Sequence, residues 1–203
     1  MILSDDITIS EMEEFASGRI LNTYVPEIVN SKESTKQKKY DAILRTTNIW
    51  HQLKTNRSII GLVLRELKNK HGTHLGGNRM YIDECHNYLC CVPDGNVYFI
   101  LIRSYKALNL LQPFQMKIME RVSKMRGSMG FKIKNGNVVL KKNIIMEAQT
   151  AMHICKASKS IVLFVNSNDH EDYVMENVER DKTYFKLQIE EKIKSFFENF
   201  IVY

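Results

Sequence analysis

The chain has 203 residues, of which 44% are hydrophobic and 26% charged, with 9 Gly and 3 Pro. This composition is typical of a globular domain with a substantial core, and it excludes collagen-like, disordered and low-complexity proteins. Lys and Arg number 29 against 23 acidic residues, and the resulting net charge of +6 favours polyanionic partners. No apolar run approaches the ~20 residues of a membrane span, and the first residues lack a signal-peptide pattern. We therefore expect a soluble, intracellular protein without a membrane partner.

The part of the chain before residue 73 is predicted to be mainly helical. Apolar residues at helical spacing predict helices over 8–17, 39–53 and 59–67. The first of these helices is preceded by a start signal, because Ser10 and Glu13 have the spacing of a capping box.

Strand signals dominate from residue 73 onward. Short β-rich runs occupy the segment 80–102, and Asn135-Gly136 between alternating apolar residues predicts a hairpin with a type I′ turn. The remaining predicted elements are a helix over 143–155, strands over 161–165 and 173–178, and a C-terminal helix with an apolar face of Phe185, Ile189, Ile193, Phe196, Phe197 and Phe200. This order predicts an α/β (α+β) fold with a central mixed β-sheet, in a single domain over 1–203.

The cysteines of the chain are Cys85, Cys90, Cys91 and Cys155, and none forms a Cys-x-x-Cys pair. We expect free thiols in a reducing compartment. Neighbouring residues of a strand point to opposite faces, so Cys90 and Cys91 are poorly placed to share a metal ion. The spacing of the cysteines from His71, His74 and His86 fits no standard zinc finger. The sequence therefore predicts structural cysteines and no metal site.

Several segments, taken in their order along the chain, carry a resemblance to a known family. They are Ser17-Gly-Arg-Ile20, Glu33-Ser-Thr35, Val63-Leu-Arg-Glu-Leu-Lys-Asn-Lys-His-Gly72, Tyr88-Leu-Cys-Cys-Val-Pro-Asp-Gly95, Val139-Leu-Lys-Lys-Asn143 with the following Gln149, and Glu179-Arg-Asp181. The ordered set resembles the YqaJ-like viral recombinase family, the lambda-exonuclease type of the PD-(D/E)xK nuclease superfamily, over most of the chain. The resemblance implies a restriction-endonuclease-like core, in which a central mixed sheet is flanked by helices.

The resemblance also implies a divalent cation held by oxygen ligands, with a lysine near the water that attacks the phosphate. In the family these groups come from an acidic residue on a helix, the Asp of Pro-Asp-Gly, and a Glu-x-Lys on the next strand. Asp94 matches the Asp, whereas Leu101 stands where the Glu belongs and Arg103 where the Lys belongs. The acidic position on the helix falls near Ser58 or Ile60, and neither side chain is a carboxylate.

The glutamine-bearing helix of the family also has a counterpart in this sequence. Glu147 replaces one Gln of that helix, and Gln149 keeps another. One carboxylate of the usual three remains, and it is accompanied by an arginine in place of the lysine. The sequence therefore predicts a nuclease fold with a degenerate active site, in a protein that is not an enzyme and needs no metal cofactor. Asp94, Arg103 and Gln149 are then vestiges of the site. The alternative is a metal-dependent DNA exonuclease that uses Mg²⁺ or Mn²⁺ at a site rebuilt around Asp94 and Glu147.

A degenerate nuclease can still bind nucleic acid through phosphate contacts alone. The predicted contacts are Arg103, Lys106, Lys132, Lys134, Lys141 and Lys142. We expect a protein co-opted from a viral or mobile-element recombinase, acting as a scaffold for a protein partner or as a DNA- or RNA-binding subunit. Its expected location is nuclear or nucleocytoplasmic, and assembly into a homo-oligomer is left open.

Overall fold

The computed structural model describes residues 7–32, 35, 65, 74–76, 80–93, 95–98, 112–119, 130–166 and 173–200. Its helices are α1 (Ile9–Ala16), α2 (Val25–Val29), α3 (Lys142–Ile154), α4 (Lys182–Phe185) and α5 (Glu191–Phe200), with a 3-10 turn at Asn22–Tyr24 and a π-helical segment at Lys186–Glu190. Its strands are β1 (Ile20–Leu21), β2 (His74–Gly76), β3 (Tyr81–Ile82), β4 (Leu89–Cys91), β5 (Gly95–Tyr98), β6 (Gln112–Met119), β7 (Phe131–Lys134), β8 (Asn137–Leu140), β9 (Lys159–Asn166) and β10 (Tyr173–Glu179).

Some of the sequence predictions fall on parts of the chain that are not described. The predicted helices over 39–53 and 59–67 lie outside the described residues, apart from residue 65, which is helical. The candidate residues that also lie outside them are Ser58, Ile60, Asp94, Leu101, Arg103 and Lys106.

The described strands form two sheets and a separate hairpin. The larger sheet has the order β10-β9-β6-β5-β2, in which β6 and β9 are parallel and the other neighbours are antiparallel. The smaller sheet has the order β1-β4-β3, with β1 parallel and β3 antiparallel to β4. Strands β7 and β8 pair only with each other among the described strands. Helices together with mixed sheets confirm the predicted α/β (α+β) class.

Helix α1 begins with a capping box, but at different residues from those predicted. Thr8 has extended backbone geometry and accepts a hydrogen bond from the backbone N–H of Glu11, while the Glu11 carboxylate accepts one from the backbone of Thr8. Ser10 is already inside the helix, and an N-cap must have non-helical geometry to perform this role. The capping pair is therefore two residues earlier than Ser10 and Glu13.

The predicted hairpin is confirmed as the turn between β7 and β8. Asn135 has φ 52° and Gly136 has φ 79°, and positive φ at both central residues is the requirement of a type I′ turn. Antiparallel pairing from Phe131 with Leu140 to Lys134 with Asn137 follows from this two-residue loop. The Asn-Gly signal alone is sufficient to place this element.

Helix α3 has apolar residues on opposite faces and is packed on both. Ile144, Ala148 and Met152 lie four residues apart and pack with the β7–β8 hairpin and β9. Met146 and Ala151 pack in a second cluster with α2, β4 and the C-terminal helices. Because both faces are covered, polar residues on α3 are drawn into the interior as well.

The C-terminal apolar face is part of the core, as the sequence predicts. Phe185, Ile189, Ile193 and Phe196 expose at most 3% of their surface, and they pack with α2 and α3. The segment Lys186–Glu190 between α4 and α5 is π-helical, a geometry that often occurs at functional sites. None of the helices in the described residues is long and apolar enough to span a membrane.

Candidate functional site

Strand β5 begins at Gly95, directly after Pro93 and Asp94 in the sequence. It pairs in antiparallel register with β6, and Gly95 is opposite Phe114. From Phe114, β6 continues through Gln115 and Lys117, which pair in parallel with Val162 and Phe164 of β9. The register thus brings a Gln-x-Lys sequence next to the strand that follows Pro-Asp-Gly.

Glu147 is a buried carboxylate on α3, with 7% of its surface exposed. Helix α3 contacts both β4 and β6. The pKa of the Cys91 thiol on β4 is raised well above its ordinary value, chiefly by burial, then by its hydrogen bond to Cys155 and by neighbouring charges that include Glu147. Glu147 thus lies on a helix that packs against the strand leading to Pro93.

Gln149 is a buried residue that connects two elements. Its Nε2 donates to the carbonyl oxygen of Glu179 at 2.8 Å, and its Oε1 accepts from the backbone N–H of Asp181 at 2.8 Å. Asp181 in turn caps α4 by accepting from the backbone N–H of Tyr184. Gln149 thus holds the end of β10 to the start of α4, which is a structural role.

Four of the predicted nucleic-acid contacts lie together in sequence on the β7–β8 hairpin and at the start of α3. Lys132, Lys134 and Lys142 are exposed, and Lys141 is half-buried. The backbone N–H of Lys141 donates to the carbonyl oxygen of Gly130 at 2.9 Å, which ties the end of the hairpin to its beginning. We call these four lysines the basic hairpin. Arg103 and Lys106, the other predicted contacts, are outside the described residues.

A second group, which the sequence did not predict, lies where the turn between β3 and β4 meets the end of α3. Asp83, His86 and His153 each offer one donor atom, and these atoms all lie within 4.8 Å of one another. His86 Nδ1 is 3.1 Å from Asp83 Oδ1, and His153 Nε2 is 3.4 Å from Asp83 Oδ2. The i, i+3 spacing of Asp83 and His86 is a sequence signal for this group, but it does not point to His153.

The surroundings of this group fix its side chains. Asp83 is 5% exposed, and its Oδ1 accepts from the backbone N–H groups of Cys85 and His86 at 3.0 and 2.6 Å. The ring of His153 stacks on Phe185 with centroids 3.7 Å apart. Burial lowers the pKa of His153, and the nearby Asp83 opposes that shift. The His153 imidazole thus faces a buried carboxylate at 3.4 Å.

Two of the four cysteines, Cys90 and Cys91, are buried in the core. Cys90 packs in the cluster around α1, and Cys91 packs in the cluster around α3, so the two thiols point to opposite faces of β4. Burial raises the pKa of Cys90 to about 12. Both thiols therefore stay protonated at neutral pH and are poor metal ligands and nucleophiles.

Solved structures match this chain over nearly its whole length. The crystal structure of LHK-Exo, an alkaline exonuclease from Laribacter hongkongensis, has a TM-score of 0.64 at 16% sequence identity, over 93% of this chain and 92% of that chain. The structure of LHK-Exo in complex with dAMP has a TM-score of 0.63 with the same identity and coverage. No family model matches the chain, and no curated protein matches it. The chain therefore has an exonuclease fold.

Two predictions from the sequence are wrong. The prediction that the protein is not an enzyme is contradicted by the exonuclease fold together with the donor group Asp83, His86 and His153. The prediction that no metal cofactor is needed is contradicted by the same group, which can ligate a cation. Both errors have one cause. The predictions considered only carboxylates within the matched motifs, whereas the donor atoms of Asp83, His86 and His153 come together only when the chain folds. The nuclear location, the protein partner and the oligomeric state stay predictions.

Proposed function

We propose that this protein is a metal-dependent nuclease that cleaves DNA, of the YqaJ or lambda-exonuclease type. The observation that carries the proposal is the pairing of Gly95 with Phe114 within an exonuclease fold. It supports a reactive centre that contains Asp94, which directly precedes Gly95, with Gln115 and Lys117, which follow Phe114.

The register supports the Gln-x-Lys sequence of β6 as the counterpart of the Glu-x-Lys in the resembling family. Gln115 then takes the position of the Glu and Lys117 that of the Lys, instead of Leu101 and Arg103. A lysine ammonium supplies three donors to the attacked phosphate or to water, and it can exchange a proton, which the guanidinium of an arginine does not do. The basic group that the chemistry requires is therefore kept in this assignment.

The donor set of this centre fits a hard divalent cation. Asp94 and Glu147 contribute carboxylates and Gln115 an amide oxygen, and oxygen atoms are the ligands that Mg²⁺ and Mn²⁺ prefer. When bound, such a cation neutralises charge that develops on the phosphate. The packing of α3 against β4 and β6 supports the participation of Glu147.

The basic hairpin supports a polyanionic substrate. Exposed lysines bind phosphate oxygens without regard to base sequence. LHK-Exo has been solved with dAMP, a deoxynucleotide, and this favours DNA over RNA as the substrate here. We assign the basic hairpin to the DNA backbone beside the reactive centre.

The test is cleavage of end-labelled linear DNA, single-stranded and duplex, by the purified full chain in Mg²⁺ and in Mn²⁺. We expect release of labelled nucleotides that depends on the cation and stops on addition of a chelator. Asp94→Asn and Glu147→Gln should abolish cleavage because each removes a charged ligand, and Lys117→Ala should lower the rate by about 100-fold or more.

Matched controls separate catalysis from folding. Glu191→Gln and Lys194→Ala remove the same charges from exposed positions of α5, and they should leave the rate unchanged. Circular dichroism establishes that each variant is folded. The proposal is overturned if the folded wild type cleaves no DNA with either cation, or if Asp94→Asn and Glu147→Gln both cleave at the wild-type rate.

A further inference from the structure

The group of Asp83, His86 and His153 is not part of the proposed nuclease centre. It lies at the start of β4, where the β3–β4 turn ends, whereas Pro93 follows the other end of that strand. Along α3, Glu147 and His153 are separated by an axial rise of about 9 Å, at roughly 1.5 Å per residue. The two sets of residues therefore belong to different sites.

We propose that Asp83, His86 and His153 bind one zinc-type transition-metal ion that fastens the C-terminal helices to the β3–β4 turn. Two imidazoles and one carboxylate are typical ligands of Zn²⁺ and its neighbours, whereas Mg²⁺ prefers oxygen atoms alone. In a tetrahedral site with metal–ligand distances of ~2.1 Å, ligand atoms lie about 3.4 Å apart. The group has a comparable spread: Nδ1 of His86 lies 3.1 Å from Oδ1 of Asp83, Nε2 of His153 lies 3.4 Å from its other oxygen Oδ2, and one donor atom of each residue lies within 4.8 Å of the others.

Glu190 provides an independent reason to assign this group to a metal. Its Oε1 lies 3.2 Å from Nε2 of His86, the ring nitrogen opposite the one that faces Asp83. Metal-ligating histidines commonly donate their second N–H to a carboxylate, which fixes the ring and the tautomer. Glu190 is the last residue of the π-helical segment, so this unusual turn ends at the residue that orients His86.

The remaining ligands are held in place before any ion binds. Asp83 cannot turn freely, because two backbone N–H groups of the turn donate to its Oδ1. The Phe185 ring restrains His153 by stacking on it, with the ring centroids 3.7 Å apart. Binding therefore costs little side-chain entropy.

An ion at this position would link three parts of the fold. Asp83 and His86 belong to the β3–β4 turn, His153 to the last turn of α3, and Glu190 to the segment before α5. Without an ion, the same contacts form a hydrogen-bonded network. The two states differ in the number of metal ions that a chain binds, which can be measured directly.

The experiment is a titration of the chelator-treated full chain with Zn²⁺ by calorimetry, and with Co²⁺ by visible absorption. We expect about one ion per chain, no displacement by millimolar Mg²⁺, and a higher thermal midpoint with Zn²⁺ present, since an ion that binds only the folded state stabilises it. His153→Phe keeps the stack on Phe185 and removes the ligand, and it should abolish binding. Glu190→Gln should weaken binding about tenfold, because it removes only the charge that orients His86.

The control is Glu84→Gln. Glu84 is an exposed carboxylate next to Asp83 that pairs with Lys156 instead of a histidine, and this variant should bind like the wild type. The proposal is wrong if the folded wild type binds neither ion stoichiometrically, or if His153→Phe and His86→Gln both bind with wild-type affinity. The measurement uses no nucleic acid, so its failure would leave the cleavage test of the nuclease centre unaffected.

Discussion

The carboxylate of Asp83 faces His153 across two elements that are far apart in the chain, with Oδ2 at 3.4 Å from the imidazole Nε2. The same carboxylate accepts two backbone N–H groups of its own turn through Oδ1. One buried side chain thus shapes the β3–β4 turn and joins that turn to the end of α3.

Asp83→Ala should destabilise the metal-free protein. The substitution leaves two partly buried backbone N–H groups without an acceptor, and each unsatisfied group costs about 1–3 kcal/mol. Asp83→Asn keeps an oxygen at this position and should cost clearly less. Urea unfolding in the presence of a chelator measures both values. Equal stability of Asp83→Ala and the wild type would show that the turn forms without these bonds.

Gln149→Ala should lower the free energy of unfolding by about 2 kcal/mol or more, because the carbonyl of Glu179 and the N–H of Asp181 are both left without their partner. The exposed Gln188 provides a matched control, and Gln188→Ala should change stability by less than about 0.5 kcal/mol. Thermal unfolding followed by circular dichroism compares the two. If both variants have the same midpoint, Gln149 does not hold β10 to α4 in solution.

The elements that the sequence predicts correctly are those whose own residues determine their structure. Asn135-Gly136 determines its hairpin because the turn itself demands positive φ at both residues. The apolar spacing of Phe185, Ile189 and Ile193 identifies a buried helical face whatever lies against it. Even the error at α1 is small, since Thr8 and Glu11 have the same spacing as Ser10 and Glu13.

The parts that the sequence did not predict depend on pairing between distant segments. Whether a Gln-x-Lys sequence lies beside Gly95 is decided by the β5–β6 register, and nothing in the neighbourhood of Gly95 indicates residue 115. The group of Asp83, His86 and His153 likewise needs α3 to bring His153 to the β3–β4 turn. The spacing of residues within a motif contains no information on either relationship, because both depend on contacts between segments that are distant in sequence.

Ile189→Ala should cost about 2–5 kcal/mol of stability, because Ile189 is 1% exposed within the cluster of α2, α3 and α5 and its truncation leaves a cavity. Leu187→Ala removes a similar side chain from the same π-helical segment, but Leu187 is 69% exposed and should cost less than about 0.5 kcal/mol. Denaturant unfolding of the two variants tests the burial of one face of this segment. Comparable losses in both would contradict it.

The affinity of the basic hairpin for DNA should fall steeply as the salt concentration rises. Each lysine that binds a phosphate releases counterions, so the slope of log K against log salt concentration should become shallower by about 1 for each such lysine that is replaced by alanine. The double variant Lys132→Ala, Lys134→Ala should therefore reduce the slope by about 2, whereas Lys192→Ala, Lys194→Ala on the exposed side of α5 should leave it unchanged. Fluorescence anisotropy with labelled DNA over a range of salt concentrations measures each slope in chelator, where cleavage cannot interfere. The slope is the quantity to compare, because altered folding can change the affinity alone, whereas the slope reports the number of phosphates that the protein neutralises. The same slope in the hairpin variant and the wild type would assign the DNA-binding surface to other parts of the chain.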